Sequence, residues 1–279
     1  MDAKILFNKI LDLAIRGRLT EQLESDGSAQ DLIDQIENEK KREIEEYNKA
    51  NPKKTQKKYV APKPIPSEDI PFEIPENWKW VRIEEITDSY IGLTYSPSEV
   101  SNDGIIVLRS SNIQDGKLEF TDIVRVKKDI SEKLMVEKGD IIICARNGSQ
   151  RLVGKSALVD NIFEPMTFGA FMCICKSQFN TYIHKYLQTS LFFEQLVFSS
   201  NTKEIYQLTQ NRFNKFLIPL PPLSEQKRIV AKLEEIFGKI DKIKNGIPKS
   251  EKVFKFPEAE GQKMPVAAEG GTQFSGKGR

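Results

Sequence analysis

The segment Ile141–Val159 combines cations with side chains that can recognise the edge of a nucleic-acid base. It contains Arg146, Arg151 and Lys155 and no acidic residue, and Asn147-Gly148-Ser149-Gln150 lies inside it. Arginine can pair through two hydrogen bonds with guanine, Asn or Gln can do so with adenine, and cations neutralise phosphates. The segment therefore predicts a loop that contacts DNA. The alternative is an ordinary Asn-Gly hairpin turn with solvated flanks.

Two further polar stretches follow or precede predicted strands. Arg109-Ser110-Ser111-Asn112 comes directly after an apolar run and offers a similar set of donors and acceptors. Asn112 has an equally good alternative role as the cap of the turn before Asp115-Gly116. The third stretch comprises residues 201–204 and 207–212. The first two stretches supply these candidate DNA-contacting residues: Arg109, Ser110, Ser111, Asn112, Arg146, Asn147, Ser149, Gln150, Arg151 and Lys155.

Residues suited to catalysis are few. His184 is the only histidine, and a lone histidine is more often structural than a catalytic base. Asp115, Asp122 and Asp140 with Lys155 resemble a metal-dependent nuclease site only in composition, because such a site needs paired carboxylates beside a lysine and these aspartates look like turn residues. No glycine-rich phosphate loop or methyltransferase cofactor motif is found. We expect no catalytic residue, no metal ligand and no cofactor site in this chain.

Composition limits the class of protein further. The 279 residues are 39% hydrophobic and 29% charged, with a net charge of +2. Near neutrality means that a nucleic-acid binder of this kind needs local basic patches or basic partners. No stretch approaches the roughly 20 apolar residues that span a membrane, and the first 19 residues are too charged for a signal peptide. The three cysteines do not suggest a disulfide framework. We expect a cytoplasmic protein without membrane contact.

The elements that would position the polar stretches begin with a helical segment over residues 1–50. Leu6, Ile10, Leu13 and Ala14 recur at helical spacing before Gly17 ends the run. A second helix is predicted to begin at Ser28, because Ser28-Ala29-Gln30-Asp31 resembles a capping box. Residues 51–75, rich in proline and lysine, form a predicted linker.

Residues 76–221 are predicted to form a mixed α/β domain. Ile105–Leu108, Ile141–Cys144 and Phe171–Cys175 are continuous apolar runs, typical of strands buried on both faces. The predicted turns are Asp103-Gly104, Asp115-Gly116, Gly139-Asp140 and Asn147-Gly148. Residues 180–200 return to helical spacing. Trp78 and Trp80 could stack on bases, but Trp-x-Trp at the start of a domain favours core packing.

Residues 222–246 are predicted to form a helix, with Pro219, Pro221 and Pro222 before it and Ser224 as its cap. Its apolar residues are spaced four, three, four and three apart, which is typical of a coiled-coil seam. Two heptads are too short to be stable alone, so the seam needs another helix, either the N-terminal one of the same chain or one from a second copy. Residues 247–279 are a predicted disordered tail. The predicted partner-interface residues are Leu6, Ile10, Leu13, Ile229, Leu233, Ile236, Ile240 and Ile243.

Four segments in order along the chain resemble the specificity subunits of type I restriction–modification systems. Pro219–Ile236 (PLPPLSEQKRIVAKLEEI) resembles the exit from the recognition domain and the conserved helix, and Leu11–Thr20 (LDLAIRGRLT) resembles the end of the long conserved helix. Leu108–Gly116 (LRSSNIQDG) and Gly139–Ser149 (GDIIICARNGS) resemble strand-loop motifs of the recognition domain. The resemblance covers about residues 1–245.

The resemblance implies an α+β fold, with one mixed α/β target-recognition domain flanked by N-terminal helices and a C-terminal coiled-coil-type helix. Such a domain reads half of a split DNA site, and the helices dock methyltransferase subunits and, through them, the restriction motor subunit. S-adenosylmethionine, magnesium and ATP would belong to those partners. Loops of the third stretch lie near DNA in the family, which adds four candidate DNA-contacting residues: Lys203, Gln207, Thr209 and Gln210.

The sequence departs from the family's usual arrangement of two recognition domains, because it shows one such domain and its last helix ends at Gly246. Two copies could pair and read a palindromic split site, since a protein dyad matches a DNA dyad. Alternatively, the chain is a fragment that depends on an intact partner or acts only in assembly.

Overall fold

The structure, a computed structural model, describes residues 3–198 and 207–246. The α+β fold class expected from the resemblance is confirmed. The helices are α1 (Ala3–Ile15), α2 (Ala29–Ala50), α3 (Ile83–Ile86), α4 (Asn180–Tyr186), α5 (Ser190–Phe198), α6 (Gln210–Asn214) and α7 (Leu223–Gly246). The strands are β1 (Lys79–Arg82), β2 (Asp88–Ile91), β3 (Val100–Leu108), β4 (Ile113–Gln114), β5 (Lys117–Leu118), β6 (Val124–Val126), β7 (Ile141–Cys144), β8 (Ser156–Leu158), β9 (Met166–Phe168), β10 (Met172–Lys176) and β11 (Leu217–Leu220).

Gly17 ends α1, as predicted. Its φ is 67°, a backbone conformation that glycine adopts without steric cost. The Arg18 N–H donates to the Leu13 carbonyl at 2.9 Å, and the Gly17 N–H donates to the Ala14 carbonyl at 3.3 Å, the paired bonds of a Schellman motif. A Cβ at position 17 would lie 2.4 Å from Pro75 Cγ. Glycine is therefore required here for both the turn and the close packing.

The second helix begins where its capping box predicts. The Ser28 hydroxyl accepts a hydrogen bond from the Gln30 N–H at 3.1 Å, and the Asp31 carboxylate accepts one from the Ser28 N–H at 3.1 Å. These bonds satisfy backbone donors that no helical carbonyl can reach. After α2 the chain makes a turn in which the Lys54 N–H donates to the Asn51 carbonyl at 3.0 Å, and a second short turn follows at Ser67–Asp69. Asn48 holds the start of the proline-rich segment through two 2.8 Å hydrogen bonds with the backbone of Lys57.

The central sheet has the antiparallel strand order β2-β10-β7-β8, and a second sheet has the order β6-β3-β9. In the second sheet β3 and β9 are parallel, with Leu108 opposite Phe168. In the central sheet Met172 at the start of β10 lies opposite Cys144 at the end of β7, and Cys173 lies opposite Ile91 at the end of β2. The ends of β2 and β7 and the start of β10 therefore share one edge.

The hydrophobic core forms on both faces of the central sheet. Ile141 and Ile143 of β7, with Cys173 and Cys175 of β10, pack in the cluster that contains the helices. Ile142, Cys144, Met172 and Ile174 pack on the other face with β3 and β9. Alternate strand residues point to opposite faces, so an uninterrupted apolar run is needed where both faces are covered. The prediction of doubly buried strands is confirmed for β7 and for Met172–Cys175.

One of the predicted turns differs from the structure. Asp103-Gly104 is not a turn but part of β3, where the register against Val126 shifts between Val100 and Ile105. A Cβ on Gly104 would lie 2.2 Å from the Val126 carbonyl oxygen, so this glycine permits a bulge with close backbone approach. Asp115-Gly116 is a turn as predicted, with φ values of 48° and 77° between β4 and β5.

The predicted helix over residues 180–200 is divided in two within its described part. Thr189 lies between α4 and α5, and its hydroxyl donates to the Tyr186 carbonyl at 2.7 Å. The same oxygen accepts a hydrogen bond from the Phe192 N–H at 3.3 Å. One side chain thus ends the first helix and caps the second. We refer to α1, α4, α5 and α7, which share the core cluster on one face of the central sheet, as the helical layer.

The last helix begins one residue before its predicted cap. The Gln226 N–H donates to the Pro222 carbonyl at 3.0 Å, so Ser224 lies within the first turn of α7 rather than before it. The apolar seam of α7 is covered mainly within the same chain, because α7 contacts α1 and α4. The rings of Phe7 and Phe237 lie 4.4 Å apart. Of the two alternatives for the seam, the intramolecular one is realised.

This packing corrects several predicted partner-interface residues. Ile10, Ile229 and Leu233 are buried core residues of this chain, so they are not surface residues for another chain. Leu6, Ile236 and Ile240 are partly buried against the same core. Leu13 and Ile243 are 40% and 65% exposed and stay candidates for a partner contact.

The carboxylate of Glu225 links the start of α7 to the segment after α1. It is fully buried and accepts hydrogen bonds from Trp78 Nε1 at 2.8 Å, Gln22 Nε2 at 2.8 Å and Thr20 Oγ1 at 3.1 Å. A buried carboxylate is tolerated when several donors replace its water.

Trp78 is buried and Trp80 donates to the Phe72 carbonyl at 3.2 Å. The preference for tryptophan packing over base stacking is confirmed.

Candidate nucleic-acid interface

The polar stretches found in the sequence meet at one edge of the domain. The Leu93 N–H donates to the Phe168 carbonyl at 3.0 Å and the Gly169 N–H donates to the Leu108 carbonyl at 3.0 Å. These bonds join the ends of β2, β3 and β9, while β7 ends beside the start of β10. The connections that leave this edge are residues 93–95, 109–111, 146–151, 169–171 and 207–210. We call these five segments the loop edge.

Arg146 occupies a central position among these segments. Its backbone forms an antiparallel bridge with Gln207, and its N–H donates to the Phe171 carbonyl at 2.9 Å. Its side chain is exposed, with the guanidinium carbon 5.4 Å from the centre of the Phe171 ring, within the range of a cation–π contact. Asn147 Nδ2 donates to Ser110 Oγ at 3.1 Å. The structure thus joins stretches that are 37 or more residues apart in sequence.

The cations of the basic segment remain available for an anion. Arg146, Arg151 and Lys155 form no salt bridge within residues 3–198 and 207–246. Lys155 Nζ instead donates to the side-chain oxygen of Gln114 at 3.4 Å. Ser149, Gln150 and Arg151 are exposed. The Asn147 side chain accepts a hydrogen bond from the Ser149 N–H at 2.9 Å, so a local turn orders this loop, as the hairpin alternative implies.

The Arg109 stretch contains both exposed and structural side chains. Arg109 Nη2 lies 2.7 Å from Asp122 Oδ2, while its Nε is buried and has no hydrogen-bond partner among the described residues. Ser110 and Ser111 are at least partly exposed. Asn112 is buried, accepts from the Arg109 N–H at 2.9 Å and donates to the carbonyls of Glu119 and Asp122. Its assignment as a DNA-contacting residue is wrong, because its amide already bonds the protein backbone.

The third polar stretch lies partly in the described chain. Lys203 falls outside the described residues. Gln207 is half-buried beside Arg146. Thr209 is exposed, but its hydroxyl caps α6 by accepting from the Arg212 N–H at 3.3 Å. Gln210 Nε2 donates to the Ser89 carbonyl. Thr209 and Gln210 therefore have structural roles that the sequence pattern did not distinguish from base contacts.

A cleft of about 430 Å³ opens within the loop edge. Leu93, Tyr95 and Phe171 supply apolar and aromatic walls, and Arg109, Ser110 and Ser111 supply polar ones. None of the described residues that line it carries a carboxylate. Phe171 belongs to a run predicted to be buried, yet its side chain is 58% exposed. The sequence missed it because a continuous apolar run carries no mark of where the strand leaves the core.

Comparison with known proteins decides the family. The family model described as "Type I restriction modification DNA specificity domain" matches residues 75–250. This chain belongs to that family. The matched region contains the whole loop edge and α7.

Curated relatives in the specificity family are longer than the matched region. The EcoKI specificity subunit of Escherichia coli K12 is 32% identical over 180 residues, which cover 62% of this chain and 39% of that protein. The EcoAI specificity subunit of Escherichia coli is 27% identical over 241 residues, 84% of this chain and 40% of that protein. The MjaVIII specificity subunit of Methanocaldococcus jannaschii is 27% identical over 194 residues, 64% and 45% of the two chains. This chain spans about two fifths of such relatives.

Solved structures share the specificity-family fold. The HsdS subunit from Thermoanaerobacter tengcongensis aligns with a TM-score of 0.51 at 20% identity, covering 86% of this chain and 52% of that one. A chain from a study of complex assembly in the type I R-M system aligns with a TM-score of 0.50 at 19% identity, covering 77% and 51%. At these identities the likeness concerns the fold.

The carboxylates considered for a nuclease have other partners in this specificity-family chain. Asp140 is buried, 2.9 Å from Lys176 Nζ, and accepts from the Glu137 N–H at 2.7 Å. Asp122 pairs with Arg109, and Asp115 lies in the β4–β5 turn. Residues 3–198 and 207–246 contain no group of three or more His, Cys, Asp or Glu that could hold a metal ion. The acidic residues therefore do not form the paired-carboxylate arrangement that a nuclease needs.

The histidine and the three cysteines lie buried in the interior of the domain. His184 is buried, and burial lowers its pKa to about 4, so at neutral pH it is uncharged. Cys144, Cys173 and Cys175 are buried free thiols, and burial raises the pKa of Cys173 to about 12. Thiols held in the protonated state are poor nucleophiles.

No helix in the described ranges has the length and apolar character of a membrane span.

Proposed function

We propose that this chain binds double-stranded DNA sequence-specifically through the loop edge and reads one half of a split target in a type I restriction–modification complex. The main support is that three polar stretches, distant from one another in sequence, lie together around Arg146. Cations without carboxylate partners can neutralise phosphates, while neighbouring hydroxyl and amide groups can bond base edges.

The relatives' names support the role of a specificity subunit, which is a recognition rather than a catalytic component. Methyltransferase subunits would dock on the helices, and a restriction motor subunit would join through them. Leu13 and Ile243, still exposed on α1 and α7, offer apolar contacts for such a partner or for a second specificity chain. S-adenosylmethionine, magnesium and ATP would be bound by those partners, and the complex would act in the cytoplasm.

The test is methylome sequencing of cells that carry this chain together with its methyltransferase subunit. A bipartite methylated motif that disappears when this chain is omitted supports the proposal. A symmetric motif means that two copies each read one half, whereas an asymmetric motif means that a second recognition domain reads the other half. Methylation without a motif that depends on this chain contradicts sequence recognition and leaves assembly as its role.

Purified components give an independent test of the loop edge. Fluorescence anisotropy with a duplex that carries the motif should show tighter binding than with a scrambled duplex. Log Kd should rise linearly with log salt concentration, because phosphate contacts release counterions. A complex of this chain with its methyltransferase that prefers neither duplex contradicts the proposal.

A further inference from the structure

Phe171 is the most exposed phenylalanine among those whose side chains the structure describes. Its exposed fraction is 58%, against 51% for Phe163 and 39% for Phe193. Phe163 packs edge-on against Phe120, with ring centres 4.7 Å apart. Phe171 contacts a cation and a cleft instead. Single exposed apolar side chains are common on protein surfaces, and what distinguishes Phe171 is its position between a cation and a cleft.

The backbone holds Phe171 in this exposed position. Its carbonyl oxygen accepts hydrogen bonds from both the Ala145 N–H at 2.8 Å and the Arg146 N–H at 2.9 Å. Two consecutive N–H groups that share one carbonyl oxygen form a bulge-type arrangement, here at Ala145 and Arg146, just beyond the end of β7 and opposite Phe171. The Met172 N–H donates to the Gly169 carbonyl at 2.8 Å, which closes the turn. The ring therefore points outward from an ordered backbone rather than from a loose loop.

The surroundings of Phe171 indicate the chemistry of its ligand. Its ring lies beside the Arg146 guanidinium and shares the 430 Å³ cleft with Tyr95 and with the serines at 110 and 111. A ligand for this surface needs acceptors for cations and hydroxyl groups and one apolar group for the ring. In the major groove of DNA, the C5-methyl group of thymine is the apolar group that a base pair presents, among hydrogen-bonding atoms.

We propose that Phe171 is a specificity-determining residue that contacts the C5-methyl group of a thymine in the target half-site. This inference rests on the proposed DNA-binding function and adds to it the identity of one recognised base. Phe171 selects thymine over cytosine at one position, because cytosine lacks the methyl group. The neighbouring Arg146 and serine side chains hold the phosphate and the adjacent base edges.

The test replaces each thymine of the target in turn by deoxyuridine, which keeps every hydrogen-bonding group and lacks only the methyl. Binding by the full chain with its methyltransferase is measured by anisotropy. The unaltered protein should lose roughly fourfold in affinity at one position, the loss expected for one buried methyl group. Phe171→Ala should bind the thymine and deoxyuridine duplexes equally, and Phe171→Leu should keep part of the difference.

Phe163→Ala provides a matched control, since that phenylalanine is similarly exposed but does not line the cleft. It should retain the full sensitivity to deoxyuridine. Two outcomes overturn the inference: no thymine at which deoxyuridine weakens binding, or equal sensitivity in Phe171→Ala and the unaltered protein. A Phe171→Ala complex that loses the methyltransferase instead of base preference assigns the ring to protein assembly and also overturns it. Absence of specific binding by the unaltered complex refutes the DNA-binding function itself.

Discussion

The helical layer and the loop edge use polar side chains in different ways. In the helical layer the Glu225 carboxylate is fully buried and accepts three hydrogen bonds. At the loop edge the Arg146 guanidinium is exposed, forms no salt bridge within the described ranges and has an aromatic ring as its neighbour. The first arrangement satisfies its polar group inside the chain, whereas the second leaves it available to another molecule.

Because of this difference, substitutions in the helical layer and at the loop edge should change different properties of the protein. Removing an acceptor from a buried cluster leaves donors without partners, which lowers the free energy of unfolding. Removing an exposed cation changes folding little, because water already solvates it. The two regions should therefore respond oppositely to substitution: the helical layer in stability, and the loop edge in DNA affinity.

The largest effect is expected for Glu225→Ala in the helical layer. It leaves Trp78 Nε1, Gln22 Nε2 and Thr20 Oγ1 without their acceptor, so the free energy of unfolding should fall by about 3 kcal/mol or more. Urea denaturation measures this change. Glu234→Ala is the control on the same helix, because Glu234 is exposed and, among the described residues, pairs only with Lys185 at 3.3 Å. Equal losses in both variants would refute a special role for the buried carboxylate.

The second effect concerns pH and His184. Burial lowers its pKa from 6.5 to about 4, so between these values the unfolded chain binds a proton that the folded chain does not. Its contribution to stability is therefore full above pH 6.5, falls as the pH falls towards 4, and amounts to about 3 kcal/mol. Denaturation at pH 7 and pH 4 should show a smaller decrease for His184→Gln than for the unaltered protein. Identical decreases would show that other groups cause the acid sensitivity.

A third substitution concerns a buried polar side chain directly beside the loop edge. Asn112 follows Arg109-Ser110-Ser111 but bonds the backbone at three points, so Asn112→Ala should cost about 2 kcal/mol of unfolding free energy. Ser111→Ala, at the adjacent exposed residue, should cost less than about 0.5 kcal/mol. Thermal and urea denaturation compare the pair. A stable Asn112→Ala protein with altered base preference would return Asn112 to the recognition surface.

The smallest effect on stability is expected for Arg146→Ala. Its unfolding free energy should stay within about 0.5 kcal/mol of the unaltered value, while affinity for the target duplex falls about tenfold. Anisotropy and denaturation on the same preparation measure both quantities. Lys227→Ala, which removes an exposed cation of α7, is the control and should retain affinity. Unchanged binding by Arg146→Ala would exclude residues 146–151 from the proposed interface.

Much of the framework follows from local pattern. The buried run Ile141–Cys144, the glycine stop at Gly17 and the capping box at Ser28 were all predicted correctly, because each depends on residues a few positions apart. Arg146, Arg151 and Lys155 form no salt bridge with another described residue, in agreement with a segment that has no carboxylate of its own to pair with. The same pattern could not show whether Asn112 faces solvent, because its partners Glu119 and Asp122 lie beyond the turn.

The sequence by itself determined the terminal helical segments, the doubly buried strands and the family, because these depend on residue type and short-range spacing. Only the tertiary structure decided that Asn147 meets Ser110, that Phe171 is exposed opposite Ala145 and Arg146, and that Glu225 binds Thr20, 205 positions away. The tertiary structure also packs α1 of the same chain against the apolar seam of α7. Contacts between distant segments depend on how the sheets and helices pack, and no local spacing encodes that packing.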